Sequence, residues 1–370
     1  MVGVLQRAKL LCNSGHMRTL AANLLSVAGF GRGTFGARRC LASAVTIKEL
    51  TMENSPPNGV SNAFVVTHPL DPEDGKIIEM MRAGASSTKG MKLGIEARGA
   101  FDAMMEGVLP HDNVTFEHDT VGGIPGIWVI PAHGRPDEAI IHLHGGWFNF
   151  GSANAFRHLV AHIAARSGMR AFVPDYRLAP EHPFPAAVDD VLACYLGLDE
   201  RNIARIVITG DSAGGNLALV LASRITGKDV SAQATLVGVV ALSPVTDLTL
   251  SSATYETRAD ADPLFTRAQV SELVHFYLRG ADPKHPHASP LHAPLTGLPP
   301  VRVHVGDDEV LLDDSREYVR RAIAAGVDAR VDVWMGMPHG FAGRIGTLKA
   351  SGEALEGIGV FLGEKLQSAI

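Results

Sequence analysis

Gly210-Asp211-Ser212-Ala213-Gly214 stands between Arg205-Ile206-Val207-Ile208-Thr209 and Gly215-Asn216-Leu217-Ala218-Leu219-Val220-Leu221-Ala222. The first flank reads as a short buried strand and the second as an apolar helix. A G-x-S-x-G segment in that setting is a nucleophile elbow. Small residues on both sides of Ser212 let the backbone turn sharply from strand into helix. The turn pushes the hydroxyl out at the carboxyl end of a sheet and aims free helix N–H groups at a reacting carbonyl. A Gly/Ser turn in any protein of strands and helices can carry the same letters, so the reading needs partners elsewhere in the chain.

One partner lies upstream. Glu138-Ala139-Ile140-Ile141-His142-Leu143 reads as a strand and runs into His144-Gly145-Gly146-Trp147. Glycines here let backbone N–H groups approach a substrate without a Cβ in the way. Gly145 and Gly146 are therefore the expected oxyanion donors, with the Ala213 N–H from the elbow as a third. Downstream, the order Ser, acid, His is required. Val301-Arg302-Val303-His304-Val305 reads as a strand that delivers Gly306-Asp307-Asp308-Glu309-Val310-Leu311. Asp307, Asp308, Glu309, Asp313 and Asp314 all compete as the carboxylate that would hold the histidine tautomer. The last strand, Ala329 to Met335, runs into Gly336-Met337-Pro338-His339. His339 thus sits where a general base must lie to reach Ser212. Asp247, after the strand Leu236 to Leu242, is read as fixing a turn.

Between the two glycine motifs lies Asp175-Tyr176-Arg177-Leu178-Ala179-Pro180-Glu181-His182-Pro183-Phe184-Pro185-Ala186. With this segment in place, the chain from about Val114 to its end resembles the hormone-sensitive-lipase-like α/β-hydrolases, the bacterial family IV esterases. That family carries an HGG(G) segment, a DYRLAPEHPFPA segment and a GDSAG elbow in this order. The resemblance implies an α/β-hydrolase fold and a serine esterase, and its Gly-x-Asp pattern selects Asp308 as the triad acid. One departure stands out: Trp147 occupies the place of the family's usual third glycine and sets an indole beside the oxyanion hole. Taken by themselves, Asp175, Arg177 and Glu181 read as a charged network bracing a proline-rich loop.

Composition sets the outer limits. The chain has 370 residues, is 46% hydrophobic and 19% charged, and carries a formal net charge of −6. Such a chain can bury a large core and has no electrostatic attraction to nucleic acid or anionic membrane. No uncharged apolar stretch reaches about 18 residues, so stable membrane insertion is not expected. Cys12, Cys40 and Cys194 are too few and too scattered for a disulfide framework or a zinc site. His285, His287 and His292 sit among prolines without an acidic or Cys ligand at useful spacing, so no metal is expected, nor any organic cofactor. Residues 1–52 differ from the rest: basic side chains from Arg7 to Lys48 precede the first acidic residue, Glu49. They read as a leader or transit-like segment, or as sequence upstream of a start at Met17 or Met52. Gly31-Arg32-Gly33-Thr34-Phe35-Gly36 spells G-x-G-x-x-G, but no strand precedes it and no dinucleotide site is read there.

Structure is expected over 53–370 as one α/β-hydrolase domain, a mostly parallel twisted sheet with helices on both faces. Asp71-Pro72 opens a helix, and Thr88 to Met105 reads as a second one with a Met-rich stripe. Val114 to His118 and Gly126 to Ile130 form an antiparallel hairpin. Thr254 to Arg279 reads as helical. A helical cap is expected from about 70–110 and about 254–280. Trp147 and Phe148 beside the hole, together with the methionines, favour short to medium acyl chains in an apolar pocket. The substrate is thus a small-molecule ester. Similar sequences include lactone hydrolases and deacetylases, and the plant gibberellin receptors share the fold without the catalytic His. A peptidase of this fold usually needs a propeller domain, for which there is no room. The expected location is cytoplasmic, or mitochondrial if a eukaryotic transit peptide is present. The resemblance leaves a homodimer open.

Overall fold

The computed structural model describes residues 64–367 apart from 86–88, 92–93 and 228–229. All of them belong to one compact unit, Asn62–Ile370. The expectations for residues 1–52 and for the start of the helix at Thr88 lie outside the described residues.

In chain order the elements are β1 (Val65–His68), α1 (Pro72–Ala85), α2 (Arg98–Glu106), β2 (Val114–Val121), β3 (Ile124–Pro131), β4 (Glu138–Leu143), α3 (Ala153–Ser167), β5 (Arg170–Pro174) and α4 (Ala186–Glu200). They continue with β6 (Arg205–Asp211), α5 (Ala213–Thr226), β7 (Thr235–Leu242), α6 (Thr254–Thr257), α7 (Arg267–Leu278), β8 (Val301–Gly306), α8 (Leu312–Ala324), β9 (Ala329–Trp334) and α9 (Lys349–Gln367). The strands form one sheet in the order β1-β9-β8-β7-β6-β4-β5-β3-β2. Every pair from β1 to β5 is parallel, while β3 pairs antiparallel with both β5 and β2.

Alternating residues of the central strands explain why both faces are covered. Ile140, Val207 and Val240 face Phe156 and Leu159 of α3 and Leu355 and Leu362 of α9. Their neighbours Ile141, Ile208 and Val239 face Val191 of α4, Leu217 and Leu221 of α5, and Val319 of α8. Near-continuous apolar runs are what a strand buried on both sides requires, and they are why β4, β6, β7, β8 and β9 are legible in the sequence.

Two short strands are not. β1 adds to the sheet edge at β9 from far away in the chain, with the His68 ring stacked on Trp334 at 3.8 Å and its Nε2 2.9 Å from Asp332 Oδ1. β5 fills the place between β4 and β3. The Thr254 to Arg279 reading also changes. A helix of one turn, α6, is followed by irregular chain and then α7, because Asp262-Pro263 denies the intervening backbone a helical donor. α2 likewise begins only at Arg98, after a short 3-10 turn at Ile95–Ala97.

Those irregular and helical pieces meet. Gln269 Nε2 donates to Met91 O at 2.9 Å. Arg98, at the start of α2, donates to Asn149 O and Ala179 O at 2.8 Å each and grips both oxygens of Glu181. The N-terminal segment is thereby tied to the loops that follow β4 and β5.

Candidate active site

Ser212 stands between β6 and α5 with φ 55° and ψ −116°, a conformation that a non-glycine residue adopts only when its surroundings hold it there. The surroundings do so through close backbone packing. A Cβ on Gly210 would lie 2.3 Å from Gly214 O, and one on Gly214 would lie 1.9 Å from Leu143 O, so neither position accepts a side chain. The Ser212 N–H is fixed by Leu242 O at 2.7 Å. Ser212 is only 4% exposed, and it lines one pocket together with His339, Met105, Leu159 and Phe341.

His339 follows β9 in a short loop. Its Nδ1–H donates to Glu309 Oε2 at 2.7 Å, which leaves Nε2 as the free nitrogen. Glu309 has no exposed surface, and its other oxygen accepts from Ser243 Oγ at 2.7 Å and Gly306 N at 2.6 Å. The carboxylate is therefore held rigidly from two sides. Burial pulls the His339 pKa down, but the charge and hydrogen bond of Glu309, helped by Asp262 and Asp211, outweigh burial and leave it raised. The Phe265 ring meets the imidazole edge-on at 5.0 Å.

The carboxylate that meets His339 is thus Glu309, where the family pattern selects Asp308. Asp308 pairs instead with Arg82 of α1, and Asp307 pairs with Arg258 at 3.0 Å. Backbone bonds explain the difference. Asp307 N donates to Trp334 O and Asp308 N to Met337 O, so these two residues lie across the end of β9 with their side chains turned toward the arginines. The chain then turns and directs Glu309 inward. Asp313 is partly exposed. Asp314 is buried and accepts from Thr246 N, Asp247 N and Ser252 Oγ, with its pKa pushed up to about 6 by burial.

The oxyanion donors need a second correction. Gly145 N already donates to Asp211 Oδ1 at 3.0 Å, and a Cβ there would strike the same carboxylate. Its N–H is spent on holding the loop to the elbow. The loop then bends through three consecutive positive φ angles, 119° at Gly146, 52° at Trp147 and 63° at Phe148. Among the described residues, the N–H groups of Gly146 and Trp147 meet no acceptor. Ala213 is the first residue of α5, so its N–H has no intrahelical partner.

Trp147 and Phe148, expected beside the hole, pack with the rings of Phe265 and Tyr277. Phe148 is fully buried and stacks on Tyr277 at 3.8 Å. Trp147 is 4% exposed and packs edge-on against Phe265 at 5.4 Å, the ring that also meets His339. The loop segments expected to form one charged network have separate anchors. Asp175 accepts from Ala153 N at 2.6 Å, Arg177 is bonded to Asp190, and Glu181 is bonded to Arg98. Asp247 accepts from Thr249 and Ser251 in its own turn, as read from the sequence.

A family model described as alpha/beta hydrolase fold matches residues 140–343, more than half of the chain. An acetyl-hydrolase of Streptomyces hygroscopicus is 37% identical over 274 residues, covering 72% of this chain and 88% of the relative. The chain belongs to the α/β-hydrolase family. An esterase of Acinetobacter venetianus is also 37% identical, over 57% of this chain and 70% of its own. Among solved structures, EstE5 superposes with a TM-score of 0.75 at 35% identity, over 80% of this chain and 99% of that one. An esterase from the bacterial hormone-sensitive lipase family gives 0.74 at 35% identity with the same coverage. Within the α/β-hydrolases the chain is therefore of the hormone-sensitive-lipase-like kind, as its three motifs imply.

Proposed function

We propose that Ser212, His339 and Glu309 act as a nucleophile, base and acid that hydrolyse carboxylic esters of short to medium acyl chain through an acyl-enzyme. His339 Nε2 accepts the Ser212 proton as Oγ attacks the ester carbonyl, and the imidazolium so formed is stabilised by Glu309. The alkoxide-like oxygen is received by the N–H groups of Gly146, Trp147 and Ala213, each contributing roughly 3 kcal/mol in the transition state. His339 then returns the proton to the leaving alcohol, and water repeats the sequence on the acyl-enzyme.

The observation that carries this reading is the 2.7 Å bond from His339 to a fully buried Glu309, with His339 and Ser212 on one pocket wall. The lining residues Met105, Leu159 and Phe341 supply an apolar chamber for an acyl group. Met105 comes from α2, which supports a cap contribution from the segment of about 70–110; the further cap segment of about 254–280 is part of the same proposal. A narrower reading, removal of acetyl groups from a small molecule on the same residues, is favoured by the acetyl-hydrolase relative. A p-nitrophenyl ester series from acetyl to palmitoyl, run beside Ser212→Ala, separates these. Best turnover at four to eight carbons supports the broader reading, and a steep fall beyond acetyl the narrower one. Best turnover on palmitoyl, or equal activity in Ser212→Ala, contradicts both.

No helix among the described residues is long and apolar enough to cross a membrane. A cytoplasmic location and a homodimer are further proposals, tested by cell fractionation and by light scattering.

A further inference from the structure

The loop that carries Glu309 is gripped by α6 and the segment that follows it. Thr254 Oγ1 donates to Val310 O at 2.7 Å and accepts from Asp313 N at 3.2 Å, and Arg258 pairs with Asp307. At the centre of this grip lies Asp262, which has no exposed surface. Its Oδ2 accepts from Val310 N at 3.0 Å, and its Oδ1 accepts from Leu264 N at 2.8 Å and Phe265 N at 3.0 Å. Val310 is the neighbour of Glu309, and Phe265 is the ring that meets the His339 imidazole.

All three partners of Asp262 are N–H donors. A protonated carboxyl group would have to donate, and none of these partners can accept, so the arrangement is built for the anion. Burial outweighs the three N–H bonds and the charge of His339 and leaves the Asp262 pKa raised above the ordinary carboxylate value. In return, Asp262 helps raise His339. The other charged groups around the imidazole are Glu309 from the β8–α8 loop and Asp211 from the elbow. Asp307 and Asp308, next along the same loop, are each matched by an arginine.

We infer that Asp262 is a positioning residue for the proposed triad: it ties the segment bearing Phe265 to the loop bearing Glu309 and sets a second buried negative charge where the imidazolium forms. The inference rests on the hydrolytic reading above. Without this charge, Glu309 and Asp211 are left to balance the cation, and among buried groups each full charge has a large influence. An imidazole bonded to Glu309 that also feels the charge of Asp262 stays protonated to higher pH, and the transition state that protonates it is stabilised.

The test is the pH dependence of kcat/KM for p-nitrophenyl butyrate in wild type, Asp262→Asn and Asp262→Glu, with Ser212→Ala as the blank. Asp262→Asn is expected to move the acidic limb down by about one pH unit, with about a tenfold loss of rate on the plateau. Asp262→Glu keeps the charge and is expected to keep the limb in place even if its rate falls. An unmoved limb in a folded Asp262→Asn overturns the inference and leaves Asp262 as a simple brace. So does an equal displacement in both variants. Should Asp262→Asn fail to fold, the infrared spectrum of the wild type at pH 8 decides. The carbonyl stretch of a buried protonated carboxylic acid overturns a charged Asp262, and its absence supports one. A wild type that does not cleave the ester brings down the hydrolytic reading and the inference with it; an active wild type with an unmoved limb in Asp262→Asn brings down the inference alone.

Discussion

Replacing Glu309 by Gln removes a charge while keeping the shape of the side chain. The amide oxygen can still accept from Ser243 Oγ and Gly306 N, so the loop keeps both of its anchors. The amide nitrogen is then directed at His339 Nδ1, now 2.7 Å from a carboxylate oxygen. A donor facing Nδ1 forces the ring proton to Nε2, the nitrogen that must accept from Ser212. The wrong tautomer and the lost charge together cost about 10⁴ in kcat when a triad acid is replaced by its amide, or about 5.4 kcal/mol. Asp308→Asn breaks only the pair with Arg82, whose side chain is 38% exposed. The pair is half-buried, with Asp308 14% exposed, and Asp308 bonds Arg82 rather than His339, so kcat should fall by no more than about fivefold, or ~1 kcal/mol. The assay is kcat on p-nitrophenyl butyrate at pH 8, with thermal melts to confirm that both variants are folded. A folded Asp308→Asn that loses about 10⁴ while Glu309→Gln stays near wild type would refute the assignment.

Trp147→Gly keeps the N–H group and relieves the positive φ, so activity on the acetyl ester should stay within about threefold of wild type; loss of all activity would mean that the indole itself is needed. Gly214→Ala places a Cβ 1.9 Å from Leu143 O and should cost about 3 kcal/mol, the upper end of the usual overpacking range, read as a lower denaturant midpoint. Hydrolysis needs neutral His339, whose pKa is raised. The rate of kcat/KM should therefore be lost as pH falls through a midpoint above the ordinary imidazole value of about 6.5, and a midpoint below that value would contradict the balance of charges described.

Much of the fold could be read from local pattern, because the central strands are apolar runs ended by turn residues. β1 could not, since its four residues gain a partner only at β9, at the other end of the chain. Ser212 and His339 were legible as points where a strand ends in a motif. The acid was not: Asp307-Asp308-Glu309 contains no internal pattern that ranks its members. What ranks them is Arg82 and Arg258, which reach the first two from distant segments. Gly145 reads as a donor because it has no Cβ to block its N–H, and only the Asp211 carboxylate shows that this N–H is occupied. Asp262 left one readable trace, the following Pro263, which marks a break in an otherwise helical stretch. That trace gives the backbone conformation and says nothing about the buried contact with Val310.

The central claim is that Ser212 is a nucleophile activated by His339. Intact-protein mass spectrometry after treatment with an alkyl p-nitrophenyl phosphonate tests it most directly, because the reagent reacts only with an activated hydroxyl and leaves a stable adduct. One phosphonyl group per chain, located on Ser212 by peptide mapping and lost in both Ser212→Ala and His339→Ala, is the predicted result. An adduct elsewhere, or unchanged labelling in His339→Ala, would contradict the account.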